Sequence, residues 1–178
     1  MNPVHTSRRA AVGGTLVAGL WPRKPQAAAL GNLVRHPAPR PLPDVVFQDA
    51  EGAQAKLADF RGKGVVLNLW ATWCAPCVAE MPSLQRLARL VRQDGIMIVP
   101  LSSDRGGVPV VRAFYDRLGL KDLGIWIDPR GTAARSWGTR GLPTTLLIGK
   151  DGLERGRLEG EADWSAPDAV AQVRALLA

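Results

Sequence analysis

Three features of the 178-residue sequence predict an α/β fold built on a central mixed sheet flanked by helices. Val65 to Trp70 and Ile96 to Leu101 are nearly unbroken apolar runs of strand length, the pattern of central strands buried on both faces. From Val78 the apolar residues Met81, Leu84, Leu87, Ala88 and Val91 recur at helical spacing, so strand and helix alternate. Near the end, Thr145 to Ile148 and Leu153 to Leu158 flank Asp151-Gly152, a hairpin signal. Alternation followed by a hairpin implies a mixed sheet covered by helices.

Residues 1–29 read as an export signal. Arg8 and Arg9 precede an apolar stretch from Ala10 to Trp21, and Ala27-Ala28-Ala29 supplies small residues for cleavage. Ser7-Arg8-Arg9 resembles a twin-arginine signal, with Arg23 and Lys24 following the apolar stretch. The alternative is an uncleaved membrane anchor, although this stretch is shorter than the ~20 residues a spanning helix needs. A periplasmic or otherwise extracytoplasmic location follows. Residues 30–43 read as a linker, because Pro37, Pro39, Pro41 and Pro43 alternate and favour extended backbone.

The folded domain is expected over residues 44–178. Val45 to Gln48 and Gln54 to Leu57 flank Asp49-Ala50-Glu51-Gly52 as an N-terminal hairpin extension. The helix from Val78 ends near Asp94-Gly95, and Val108 to Leu118 is a crossover helix after the second buried strand. A short strand, Gly124 to Ile127, a turn at Asp128-Pro129-Arg130-Gly131 and a short helix, Thr132 to Trp137, lead to the final hairpin. Ala166 to Leu177 closes the chain as a helix. Trp126, Trp137 and Trp164 read as core or rim aromatics, with core packing the favoured reading.

The formal charge is +7. Removing residues 1–29 takes away Arg8, Arg9, Arg23 and Lys24 with no acidic residue and leaves +3. The remaining basic residues are interspersed with acids, and no basic cluster with stacking aromatics appears, so nucleic acid is not expected as a partner. The domain is expected to be monomeric, without stable insertion in a membrane.

Trp73-Cys74-Ala75-Pro76-Cys77 contains both cysteines of the chain and lies between a buried strand and a helix start. At that place unsatisfied N–H groups and the helix dipole stabilise a thiolate on the first sulfur. Cys74 is thus the nucleophile for disulfide exchange, and Cys77 the thiol that resolves the mixed disulfide. Half of a zinc site has the same spacing, but four protein ligands are needed and the only histidines, His5 and His36, precede the expected domain. A purely structural disulfide would close too small a loop to constrain the unfolded chain much. No cofactor is expected.

The run Trp70-Ala71-Thr72-Trp73-Cys74-Ala75-Pro76-Cys77-Val78-Ala79-Glu80-Met81-Pro82, with Gly141-Leu142-Pro143-Thr144-Thr145, resembles the TlpA/ResA-like thiol:disulfide oxidoreductases of the thioredoxin superfamily. The resemblance covers roughly Asp44 to Ala178 and implies a thioredoxin-like fold, a helix kinked at Pro82 and a cis-proline at Pro143. Proline offers no N–H, which leaves the backbone of Leu142 to pair with an extended client segment. Trp73, Pro76 and Thr144 complete the implied client-binding rim.

Thioredoxins commonly place a buried aspartate six residues before the first cysteine, where this chain has Asn68. An amide cannot accept the Cys77 proton. Glu80, three residues after Cys77, is the candidate base or relay. Spacing alone leaves it equally readable as a solvated glutamate; the resemblance implies the functional role.

Two other chemistries have different sequence signatures. A peroxiredoxin-type peroxidase would carry Pro-x-x-x-Thr-x-x-Cys, and Leu67 and Ala71 occupy those positions. A copper-binding assembly factor of similar fold would use Cys-x-x-x-Cys and a distant histidine, whereas no histidine follows His36. The sequence thus predicts an exported reductant of protein disulfides, acting in cytochrome c maturation or copper-oxidase assembly. Its partners would be disulfide clients and a membrane or periplasmic thiol electron donor.

Overall fold

The computed structural model describes residues 30–178, so the expected export signal lies outside the described residues. The strands are β1 (Leu33–Arg40), β2 (Phe47–Gln48), β3 (Gln54–Ala55), β4 (Gly64–Trp70), β5 (Ile96–Ser102), β6 (Trp126–Ile127), β7 (Thr144–Ile148) and β8 (Glu154–Glu159). The helices are α1 (Ala75–Leu90), α2 (Gly107–Leu118), α3 (Thr132–Ser136) and α4 (Pro167–Leu177). The strands form one sheet in the order β1-β8-β7-β4-β5-β6-β2-β3.

Every residue of β4 is buried, because it runs parallel to β5 on one side and antiparallel to β7 on the other, with both faces covered. Its side chains alternate between two cores, as the period of two requires. Val66 and Trp70 join Cys77, Met81 and Leu84 of α1, Phe114 of α2 and Val173 of α4. Val65, Leu67 and Leu69 join Phe47, Phe60, Ala133 and Trp137 on the opposite face. Asn68 shares the parity of Val66 and Trp70, which turns its amide toward α1.

The β2–β3 hairpin extends the sheet at one edge, where Gln48 pairs with Ile127. Asp49 holds its turn by accepting the Glu51 and Ala53 N–H groups at 3.0 and 2.8 Å. The turn after β7 uses Gly152 at φ +82°, a backbone region that glycine enters without penalty. Among the described residues no helix is long and apolar enough to cross a membrane.

The segment expected as a linker is instead the strand at the opposite edge. Leu33, Val34 and Arg35 pair antiparallel with Leu158, Arg157 and Gly156, and after a register shift Arg40 pairs with Glu154. The ladder positions fall before the first proline or between prolines, and an edge strand needs donors on only one side. Gly156 permits the contact, since a Cβ there would lie 2.8 Å from the Val34 carbonyl oxygen.

This corrects the placement of His36 outside the fold. Its side chain is buried, with Nε2 3.1 Å from Glu154 Oε1, while Arg157 holds both oxygens of Glu154 at 2.7 and 2.9 Å. Burial raises the Glu154 pKa, but Arg157 and His36 outweigh it and hold the carboxyl below its usual range.

Candidate active site

β4 hands the chain to α1 through Ala71, Thr72 and Trp73, and a buried carboxylate fixes this connection. Asp104, just beyond β5, accepts from Thr72 N at 2.9 Å, Thr72 Oγ1 at 2.7 Å and Ser102 Oγ at 2.7 Å. Backbone bonds from Ser103 N to Trp70 O and from Cys74 N to Ala71 O, at 3.0 and 3.2 Å, complete the turn. Cys74 is the N-cap of α1 with extended backbone, and Pro76 falls in the first turn, where a missing N–H costs nothing.

The two sulfurs are bonded, at 2.10 Å, so this is the oxidised state of the pair. Cys74 retains 8% exposure and Cys77 none. Only Cys74 therefore has a residual path to solvent, and on reduction its sulfur sits at the positive end of the α1 dipole.

Glu80 lies on the buried face of α1, three residues after Cys77 and 3% exposed. Its Oε1 accepts from Asn68 Nδ2 at 2.8 Å, and its Oε2 from Trp164 Nε1 at 3.0 Å and Ala162 N at 3.2 Å. Burial pushes the carboxyl from 4.5 up to about 7, against the opposing pull of the Trp164, Asn68 and Ala162 donors. A buried group that changes protonation near neutrality can take or return a proton.

The Leu142–Pro143 peptide bond is cis. The loop is tied down by Thr144 Oγ1 donating to Gly141 O at 2.7 Å and by Gly160 N donating to Pro143 O at 2.9 Å. Thr144 is fully buried, so its side chain shapes the loop from inside. Among the described residues the N–H and carbonyl of Leu142 have no backbone partner. Trp73, 71% exposed, and exposed Pro76 stand on the surface beside Cys74.

Three participants escaped the sequence reading. Asn68 could be dismissed as a base, yet it is a donor to Glu80 and, at 2.9 Å, to Thr145 Oγ1. Trp164 is core, as its type suggests, but its indole N–H is spent on the carboxylate. Asp104 sits in the polar run Ser102-Ser103-Asp104, where a strand-end carboxylate was the sole available signal. Among the described residues no group of three or more His, Cys, Asp or Glu is arranged to hold a metal ion.

Comparison with known proteins places this geometry. Residues 39–154 match the AhpC/TSA family model. The chain is 36% identical over 151 residues to the thiol-disulfide oxidoreductase ResA of Bacillus thuringiensis subsp. konkukian, covering 85% of this chain and 81% of the relative. It is 37% identical over 143 residues to ResA of Geobacillus thermodenitrificans, covering 80% and 76%.

Among solved structures, a protein assigned as the thiol:disulfide interchange protein DsbE of Chlorobium tepidum superposes with a TM-score of 0.70 at 25% identity, over 79% of this chain and 97% of that one. A secreted thiol-disulfide isomerase of Corynebacterium glutamicum shares the fold, with a TM-score of 0.66 at 22% identity, over 86% and 96%. Since relatives that match most of the chain carry the activity that a Cys74–Cys77 disulfide at a helix start can perform, this chain belongs to the AhpC/TSA family and is a thioredoxin-like, ResA-type thiol-disulfide oxidoreductase.

Proposed function

We propose that the protein is exported and reduces protein disulfides outside the cytoplasm, in cytochrome c maturation or copper-oxidase assembly. The observation that carries this reading is Glu80, buried three residues after Cys77 with a carboxyl that titrates near neutrality. In the reduced protein the Cys74 thiolate attacks a client disulfide, forming a mixed disulfide and releasing one client thiolate. Glu80 takes the Cys77 proton, and the Cys77 thiolate attacks Cys74 Sγ, expelling the second client sulfur and closing the 74–77 disulfide. The client gains two electrons, and a thiol donor must return two to the protein. Leu142 backbone groups align the client segment, with Trp73 and Pro76 at its rim.

The test is a Cys77→Ser variant expressed with its export signal. Without the resolving thiol the mixed disulfide at Cys74 persists, and the trapped partners can be identified. Recovery of extracytoplasmic cysteine-bearing proteins of cytochrome or copper-centre assembly is the expected result. Exclusively cytoplasmic partners would overturn the reading.

A further inference from the structure

A groove of about 610 Å³ lies between β1, β8 and the loop from α3 to β7, lined in part by Arg35, His36, Arg40, Arg140, Arg157 and Glu159. Arg157 is committed to Glu154. The other three guanidiniums are not neutralised in the same way. Arg35 ends on the neutral amide of Gln172 at 3.0 Å. Arg140 is 88% exposed and only 4.0 Å from Glu159. Arg40 is exposed and forms no ion pair among the described residues. Arg35, bonded to Gln172 of α4, thus reaches over the other face of the sheet, and Arg40 and Arg140 are the exposed cations that line the open concavity beside one carboxylate, Glu159.

Its position gives the charge a use. Arg140 stands two residues before Leu142, and Glu159 pairs with Thr144, immediately after the cis bond. At the far end Arg40 pairs with Glu154. The groove therefore runs along β8 away from the Leu142–Pro143 loop, roughly 17 Å at the usual rise per strand residue.

We infer that this groove receives an acidic, extended segment of a protein client, whose carboxylates lie against Arg40 and Arg140 while its cysteine is presented at the Leu142–Pro143 loop. This rests on the reading that clients are proteins docking at that loop. Exposed charge pairs contribute little singly, but several of one sign along a groove orient an encounter and select against neutral or basic partners.

The groove is tested by fluorescence anisotropy with two labelled peptides of equal length, each bearing serine at the cysteine position and flanked by either glutamates or glutamines. The glutamate peptide is expected to bind about five- to tenfold more tightly at low salt. Raising sodium chloride to about 0.5 M should remove the difference, as should an Arg40→Gln, Arg140→Gln double variant. Equal affinities in the parent protein, or a preference that survives both replacements, would overturn the assignment. So would binding of anionic phosphatidylglycerol vesicles through these arginines without any peptide preference, which would make the groove a lipid-facing surface. Cysteine versions of both peptides, carried as mixed disulfides with mercaptoethanol, separate the two readings. Failure of the reduced protein to reduce either one counts against the reductase proposal alone, while anisotropy decides the groove.

Discussion

The indole N–H of Trp164 donates to Glu80 Oε2 at 3.0 Å, joining two buried residues 84 positions apart. The segment between β8 and α4 is thereby fastened to the middle of the active-site helix. Ala162 N adds a second bond to the same oxygen, and Ser83 Oγ accepts from Trp164 N at 3.1 Å. The carboxylate proposed as relay is therefore also a structural acceptor, and its protonation is coupled to the packing of the C-terminal segment.

Trp164→Phe removes one donor that favours the charged form of Glu80. The Glu80 midpoint should move above about 7, and stability should fall by about 1–3 kcal/mol from the lost bond and the residual cavity. Carbon-detected NMR titration of the side-chain carboxyl checks it. An unmoved midpoint would show that burial alone sets the value.

Stability of the oxidised protein should fall as pH rises from about 4.5 to about 7 and then level off. Over that interval folded Glu80 remains protonated while the unfolded side chain ionises, so the folded state binds more protons and loses ground with pH. The full effect is roughly 3 kcal/mol. Glu80→Gln should flatten this dependence and slow resolution of the mixed disulfide. The fold should survive, since Asn68 Oδ1, a buried atom without a partner, can turn to accept the new amide. Urea melts at several pH values decide it, and equal slopes in both proteins would refute the assignment.

Asp104→Ala leaves the Thr72 N–H and hydroxyl without their acceptor two residues before Cys74. We expect a stability loss of about 1–3 kcal/mol and faster amide exchange at Thr72, by about tenfold or more. Protection at Thr72 equal to that of the parent would mean that other bonds hold the turn.

The reduction potential should lie nearer the about −270 mV of thioredoxin than the about −120 mV of a strong oxidant. Ala75 and Pro76 place no cation between the cysteines, so the Cys74 thiolate draws only on the helix end. Equilibration with dithiothreitol buffers measures it, and a value above about −180 mV would favour an oxidase or isomerase.

Much of the scaffold was legible because it is written in local periodicity and chemistry. The nearly unbroken apolar run from Val65 to Trp70 marks β4 as central, Met81, Leu84 and Leu87 mark the inner face of α1, and Gly152 marks the last turn. The cysteine pair was legible for the same reason, since its spacing and its place before a helix are both local. Residues 33–40 were not, because alternating prolines produce extended backbone whether or not a partner strand is present. Only the bare surface of Gly156 admits β1 to the sheet and buries His36 against Glu154. Glu80 shows the same division. Its position followed from Cys77, but spacing could not distinguish a solvated glutamate from a buried one. Tertiary packing brought Asn68, Ala162 and Trp164 around it, and the resulting desolvation raised its pKa toward neutrality, because the energy of a charge depends on what surrounds it in space.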